Sequence, residues 1–97
     1  MATIGVFDSG FGGLTVLRAL AEVFPEAAYL YFGDTARLPY GSKSAETVAR
    51  YACEAAKFLE QQGAEMLVIA CNTATALALP RIHQAASVPV QIGRAHV

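Results

Sequence analysis

This sequence predicts an α/β fold: an open parallel sheet of strand order 2-1-3-4 with helices on both faces. Three observations carry that prediction. Short apolar runs alternate with longer segments whose apolar residues recur every three or four positions. The connections between them are short, and the first three runs each end in glycine or a small polar cluster. Strand and helix alternating through short connections imply right-handed crossovers, and hence a parallel sheet buried on both sides.

Each element has its own signal. Thr3 to Phe7 is a short apolar run ended by "DSGFGG", and the following "LTVLRALAEVF" sets Leu14, Leu17, Leu20 and Ala21 at helical spacing until Pro25 stops it. "AAYLYFGD", residues 27–34, is aromatic and apolar and closes at Gly33, as a second strand does. A polar loop, "TARLPYGSK", follows. Ser44 is an N-cap with Glu46 in the first turn, and Ala45, Val48, Ala52, Ala55 and Leu59 then step by three and four to a C-cap at Gly63. "MLVIA" is a continuous apolar strand, and "ATALALPRIHQAA" is a weaker helix with Pro80 inside it or ending its first half. "VPV" opens a fourth strand.

Composition narrows the function classes. A chain of 97 residues holds one domain, at the lower end of the size at which a single core sustains itself. More than half of it is apolar and its net charge is -1, so it reads as globular, with no basic surface for nucleic acid or anionic lipid. "MATIGVFDSG" has no basic n-region and is interrupted by Asp8, and no later window approaches a membrane span. The expectation is a cytoplasmic protein with neither nucleic-acid nor membrane partners. There the two cysteines, Cys53 and Cys71, stay reduced on separate elements. At the other end, "IGRAHV" breaks the strand that "VPV" begins and is similar to one reading frame of a widely used sequencing-adapter read-through. On that reading the genuine domain is residues 1–90, residues 91–97 are foreign, and His96 has no role.

In an open α/β sheet, ligands bind beyond the carboxyl ends of the strands, where the strand order reverses. A flavodoxin-like order places that reversal between the first and third strands, so "DSGFGG" and "CNTAT" become neighbours. Cys71 follows a buried strand and precedes a helix. Backbone N–H groups there favour a thiolate, which makes Cys71 a candidate base; the alternative is a small buried hydrophobe. Asn72 and Thr73 add polar groups that a packing cysteine does not need. Asp8 and Ser9 end the first strand before three glycines. Asp8 is either an Asx-type turn or cap, or a carboxylate for a ligand's ammonium group, while the glycine turn and helix start suit the ligand's carboxylates. An amino acid carries both charges. Dinucleotide binding fits poorly: the spacing is Gly10-x-Gly12-x-x-Thr15, and Asp8 would repel a pyrophosphate. Cys53 and His83 read as packing or surface residues, no histidine or cysteine spacing makes a metal site, and neither Lys43 nor Lys57 is marked as a Schiff-base lysine.

"IGVFDSGFGGLTVLRAL", "YFGDTARLPYG" and "LVIACNTATA" together resemble the amino-terminal half of the glutamate racemases of the aspartate/glutamate racemase family, in the same order over residues 3–90. The resemblance implies the first of two similar domains and a cofactor-independent inversion at Cα of glutamate, supplying D-glutamate for peptidoglycan. It implies a pair of cysteines flanking the substrate, with Cys71 as the first. Asp8, Ser9, Tyr40, Gly41, Asn72 and Thr73 fall at substrate-binding positions, and glutamate is the expected small-molecule partner. A homodimer of the full-length protein is compatible with it. The second cysteine, expected in a Cys-Thr-His type motif, has no counterpart here, so the chain alone is expected to be inactive and only marginally stable. Aspartate racemisation, or a non-catalytic amino-acid-binding regulatory domain, are the alternatives.

Overall fold

The computed structural model describes residues 2–10, 12–37 and 39–93. In chain order these form β1 (Thr3–Asp8), α1 (Gly13–Val23), β2 (Ala28–Gly33), two 3-10 turns (Thr35–Arg37 and Tyr40–Ser42), α2 (Ala45–Gln61), β3 (Met66–Ile69), α3 (Asn72–Ala85) and β4 (Val90–Ile92). The four strands make one sheet of order β2-β1-β3-β4, parallel throughout, as the alternation of elements requires.

Side chains alternate across the sheet and so divide the core in two. Ile4, Val6 and Val68 pack with Val16 of α1 on one face. Phe7, Leu67 and Ile69 pack with Val48, Ala52, Ala55 and Leu59 of α2 and with Ala74, Ala78 and Ile82 of α3 on the other. Val6, Phe7, Val48 and Ile82 have no exposed surface, and burying each such side chain stabilises the fold by about 1.5–3 kcal/mol. Small residues on α2 let it lie close over the strands. Among the described residues no helix is long and apolar enough to cross a membrane.

The caps of α2 follow the sequence. Ser44 Oγ accepts from the Thr47 N–H at 3.1 Å, a bond worth about 1 kcal/mol, and Gly63 reverses the chain at φ 110°. Other boundaries differ. The apolar stripe of α1 runs through Gly13, Val16, Leu17 and Leu20, while Leu14 is 64% exposed. At about 100° per residue, Leu14 lies a quarter-turn off the stripe despite its spacing from Leu17. The helix α3 begins at Asn72, two residues before the expected start, and continues through Pro80. Proline removes one intrahelical bond, to the carbonyl of Ala76, and both residues are exposed, on a side of α3 where solvent can compensate for the lost bond. The fourth strand is Val90–Ile92 rather than Val88–Val90, and its backbone pairs through the expected break: the Gly93 N–H donates to Ile69 O at 2.9 Å. His96 lies outside the described residues.

This topology brings three chain segments to one edge. Asp8 is in register with Gly33, and Phe7 with Ile69. The Asp34 N–H donates to Asp8 O at 2.9 Å and the Ala70 N–H to Phe7 O at 2.8 Å, so the segments leaving β1, β2 and β3 start level with one another.

Candidate active site

The thiol stands where β3 gives way to α3. Cys71 is itself the N-cap of α3: it is extended, at φ -93° and ψ 118°, and its sulfur accepts from the Ala74 N–H at 3.4 Å. Its S–H donates to Ser9 Oγ, also at 3.4 Å, and the two residues are 4% and 8% exposed. The expected meeting of the first and third strand ends is therefore a direct side-chain contact. Asn72 is exposed and Thr73 half-buried, so the polar start of α3 opens outward with its unpaired N–H groups while the sulfur stays inside.

Asp8 is fully buried, and its carboxylate holds the loop that follows it. The Gly10 N–H donates to Oδ1; the Gly13 N–H and the Tyr31 hydroxyl donate to Oδ2, each at 2.8 Å. Gly10 and Gly12 take φ values of 123° and 82°, where a side chain is strained. Gly12 supplies no capping side chain to α1, and the Asp8 carboxylate does so from five residues upstream. Of the two sequence readings of Asp8, this geometry matches the turn and cap. It nonetheless immediately precedes Ser9, whose hydroxyl accepts from the thiol.

Tyr31 was not marked by sequence, because an aromatic residue inside a strand reads as packing. Burial first, then its bond to Asp8 and the charge of Asp8, push its phenol up to about 12. A phenol raised above its ordinary value near 10 favours folding while protonated. That contribution is fully present below about pH 10 and is lost as pH climbs toward 12. The melting temperature should therefore hold through neutral pH and fall across that window. Tyr31→Phe should lower it at pH 7 and flatten the alkaline fall; thermal melts of the two proteins from pH 7 to 12 decide, and identical curves would refute the bond's role.

Tyr40 is 2% exposed and points inward. Its ring lies 6.1 Å from that of Phe7 and 5.9 Å from that of Tyr51, and its hydroxyl donates to Asp34 Oδ2. Gly41 is exposed, and a Cβ built on it would meet nothing within 4 Å. The turn thus exposes Gly41 and keeps the Tyr40 ring in the core. Asp34 and Arg37 were also not marked. Asp34 leaves its strand as Asp8 leaves β1, a parallel the sequence does contain, but the bonds it makes depend on how the loop folds back.

The remaining thiol is elsewhere. Cys53 Sγ donates to Arg81 O at 3.6 Å, between α2 and α3. His83 is exposed in the last turn of α3. Among the described residues, no three or more His, Cys, Asp or Glu side chains are grouped to hold a metal. What the strand ends assemble is a buried thiol, a hydroxyl touching it, a helix start and a glycine turn: a sulfur beside backbone N–H donors, a setting in which an anionic ligand could be held.

Comparison with known proteins points the same way. A family model described as Asp/Glu/Hydantoin racemase matches residues 5–95. Glutamate racemase of Koribacter versatilis is 73% identical over 86 residues, which make up 89% of this chain and 30% of that protein. The solved structure of glutamate racemase from Aquifex pyrophilus superposes with a TM-score of 0.90 at 49% identity, covering 93% of this chain and 36% of that one. The Francisella tularensis glutamate racemase, solved in complex with D-glutamate, gives a TM-score of 0.88 at 44% identity and covers 94% and 35%. The chain spans between 30% and 36% of the length of these relatives.

Proposed function

Because this chain belongs to the Asp/Glu/hydantoin racemase family, we propose that it is the amino-terminal catalytic domain of a cofactor-independent glutamate racemase. The enzyme would act in the cytoplasm and supply D-glutamate for peptidoglycan. The observation that carries this reading is Cys71: a thiol 4% exposed, capping a helix and touching Ser9, at the strand ends of a domain superposable on glutamate racemases.

The chemistry follows from that placement. The Cα–H of an amino acid is a weak acid, and removing its proton needs a positioned base and a place for the resulting negative charge. Cys71 as thiolate takes the proton onto sulfur. The electron pair left on Cα delocalises into the α-carboxylate, where N–H groups of the Asn72–Thr73 helix start and the glycine loop stabilise it, while the Tyr40–Gly41 turn binds the substrate equally before and during the reaction. The substrate's ammonium group sits toward the negative charge of Asp8 and the Ser9 hydroxyl. Inversion requires a proton from the opposite face, given by a second thiol that starts protonated; Cys53, between α2 and α3, is not placed to give it. What the family resemblance implies for that role is a second cysteine in a Cys-Thr-His type motif.

Two proteins separate the parts of this reading. Incubated with L-glutamate, the 97-residue chain should form no D-glutamate, and the full-length protein carrying this domain should form it readily. Product from the chain alone would show that one thiol suffices; none from the full-length protein would remove the racemase assignment.

A further inference from the structure

We propose that Asp34 is a positioning residue: by holding the phenol of Tyr40 it fixes the Tyr40–Gly41 turn beside Cys71 and so sets affinity for the amino-acid substrate. The inference rests on the racemase reading for its substrate, but its geometry stands apart from that reading. Asp34 is 5% exposed, one of the few buried charges in the chain, and it neither touches Cys71 nor belongs to the glycine loop. One oxygen, Oδ2, accepts from two donors: the Tyr40 hydroxyl and Arg37 Nε at 2.8 Å. Arg37 in turn donates from Nη1 to Glu54 Oε1 at 2.7 Å and lies 3.8 Å over the ring of Tyr51. The four side chains Glu54, Arg37, Asp34 and Tyr40 thus form a continuous ladder from the middle of α2 to the turn.

A buried carboxylate is costly unless paired and hydrogen-bonded, and the Arg37 guanidinium answers that cost in planar geometry. What remains is a strong acceptor aimed at one phenol. Burial first, then the bond to Asp34, raise the Tyr40 phenol well above its usual range, so it remains a donor across physiological pH. Tyr40 and Cys71 share one buried cluster, so a shift of the Tyr40 ring moves the turn relative to the sulfur. Exposed Gly41, with open space around it, is the part left to meet a ligand. Among the described residues the ladder makes no hydrogen bond to the thiol, and Tyr40 feels Cys71 only as the last of its electrostatic influences, so the ladder should act mainly on substrate binding rather than on proton transfer.

Asp34→Asn and Tyr40→Phe in the full-length protein test this, each nearly isosteric. The KM for L-glutamate should rise about tenfold in each, as expected for losing a charge-assisted bond, with kcat held within about twofold. The double variant should be no worse than the poorer single one, because both remove the same bond. The Lys43 amide, which donates to Tyr40 O at 3.0 Å, should exchange with solvent deuterium faster in both variants by about the same factor. An unchanged KM, a fall in kcat at constant KM, or multiplying effects would overturn the inference. If the unsubstituted full-length protein fails to invert glutamate, the racemase reading falls alone. Lys43 exchange still decides the anchoring, and unchanged exchange in both variants overturns it.

Discussion

Cys71→Ala in the full-length protein should abolish racemisation while leaving the fold intact. A positioned general base contributes on the order of 10²–10⁴-fold to rate, and Cys71 is the thiol that bonds Ser9 at the strand ends. The fold should survive because the sulfur's packing role is small. Alanine keeps the Cβ, loses one atom from a buried cluster, and gives up a weak cap from the Ala74 N–H at 3.4 Å. Circular dichroism and a urea midpoint near those of the unsubstituted protein, together with loss of D-glutamate formation in either direction, are the expected results. Activity retained with a normal fold would move the base elsewhere. A collapsed urea midpoint would show instead that the thiol is structural, the reading that burial alone allows.

Gly13→Ala should be the most damaging single methyl group in the site. A Cβ at Gly13 would stand 2.0 Å from Asp8 Oδ2 and 2.6 Å from its Cγ, distances no relaxation of a flexible tip can relieve, because Asp8 is fully buried. The carboxylate would have to leave the Gly13 N–H and turn away from Tyr31, giving up two charge-assisted bonds and the start of α1 together. The cost should be about 3 kcal/mol, a large share of the 5–15 kcal/mol typical of a domain this size. For so small a domain the melting temperature should fall by more than about 10 °C. The effect should be much smaller in an Asp8→Ala background, where the colliding atoms are absent, so a double-mutant cycle should show strong coupling. Additive losses would mean that Gly13 is needed for some other reason.

The fold and the thiol were legible for different physical reasons. The sheet order follows from alternation and crossover handedness, properties of the whole pattern, which is why it survived local errors at α1, α3 and β4. Those differences lie where local signals stand alone: Leu14 is three residues from Leu17 yet lies off the stripe, and α3 starts at Asn72 rather than Ala74, whereas Pro80 lies inside the helix, one of its two expected places. Cys71, Ser9 and the glycine loop were visible because they interrupt apolar runs at strand ends. Tyr31 was invisible because its ring belongs in a strand and only its hydroxyl has another task. Asp34 and Arg37 were read as loop polarity, since nothing local says that a loop will fold back to bury a carboxylate against an arginine and a tyrosine. Tyr40 was placed at the site by resemblance alone; its phenol is buried against Asp34, and the exposed part of the turn is Gly41.

Solvent isotope exchange tests the central claim, that Cys71 carries the α-proton, more directly than any binding study. With L-glutamate in deuterium oxide, the full-length protein should place deuterium at Cα as it forms D-glutamate. Cys53→Ala should do so at the same rate, and Cys71→Ala should form no deuterated glutamate of inverted configuration, any residual exchange being confined to the enantiomer that the second thiol deprotonates. Deuterated D-glutamate formed by Cys71→Ala from L-glutamate, or its loss with Cys53→Ala, would contradict the account.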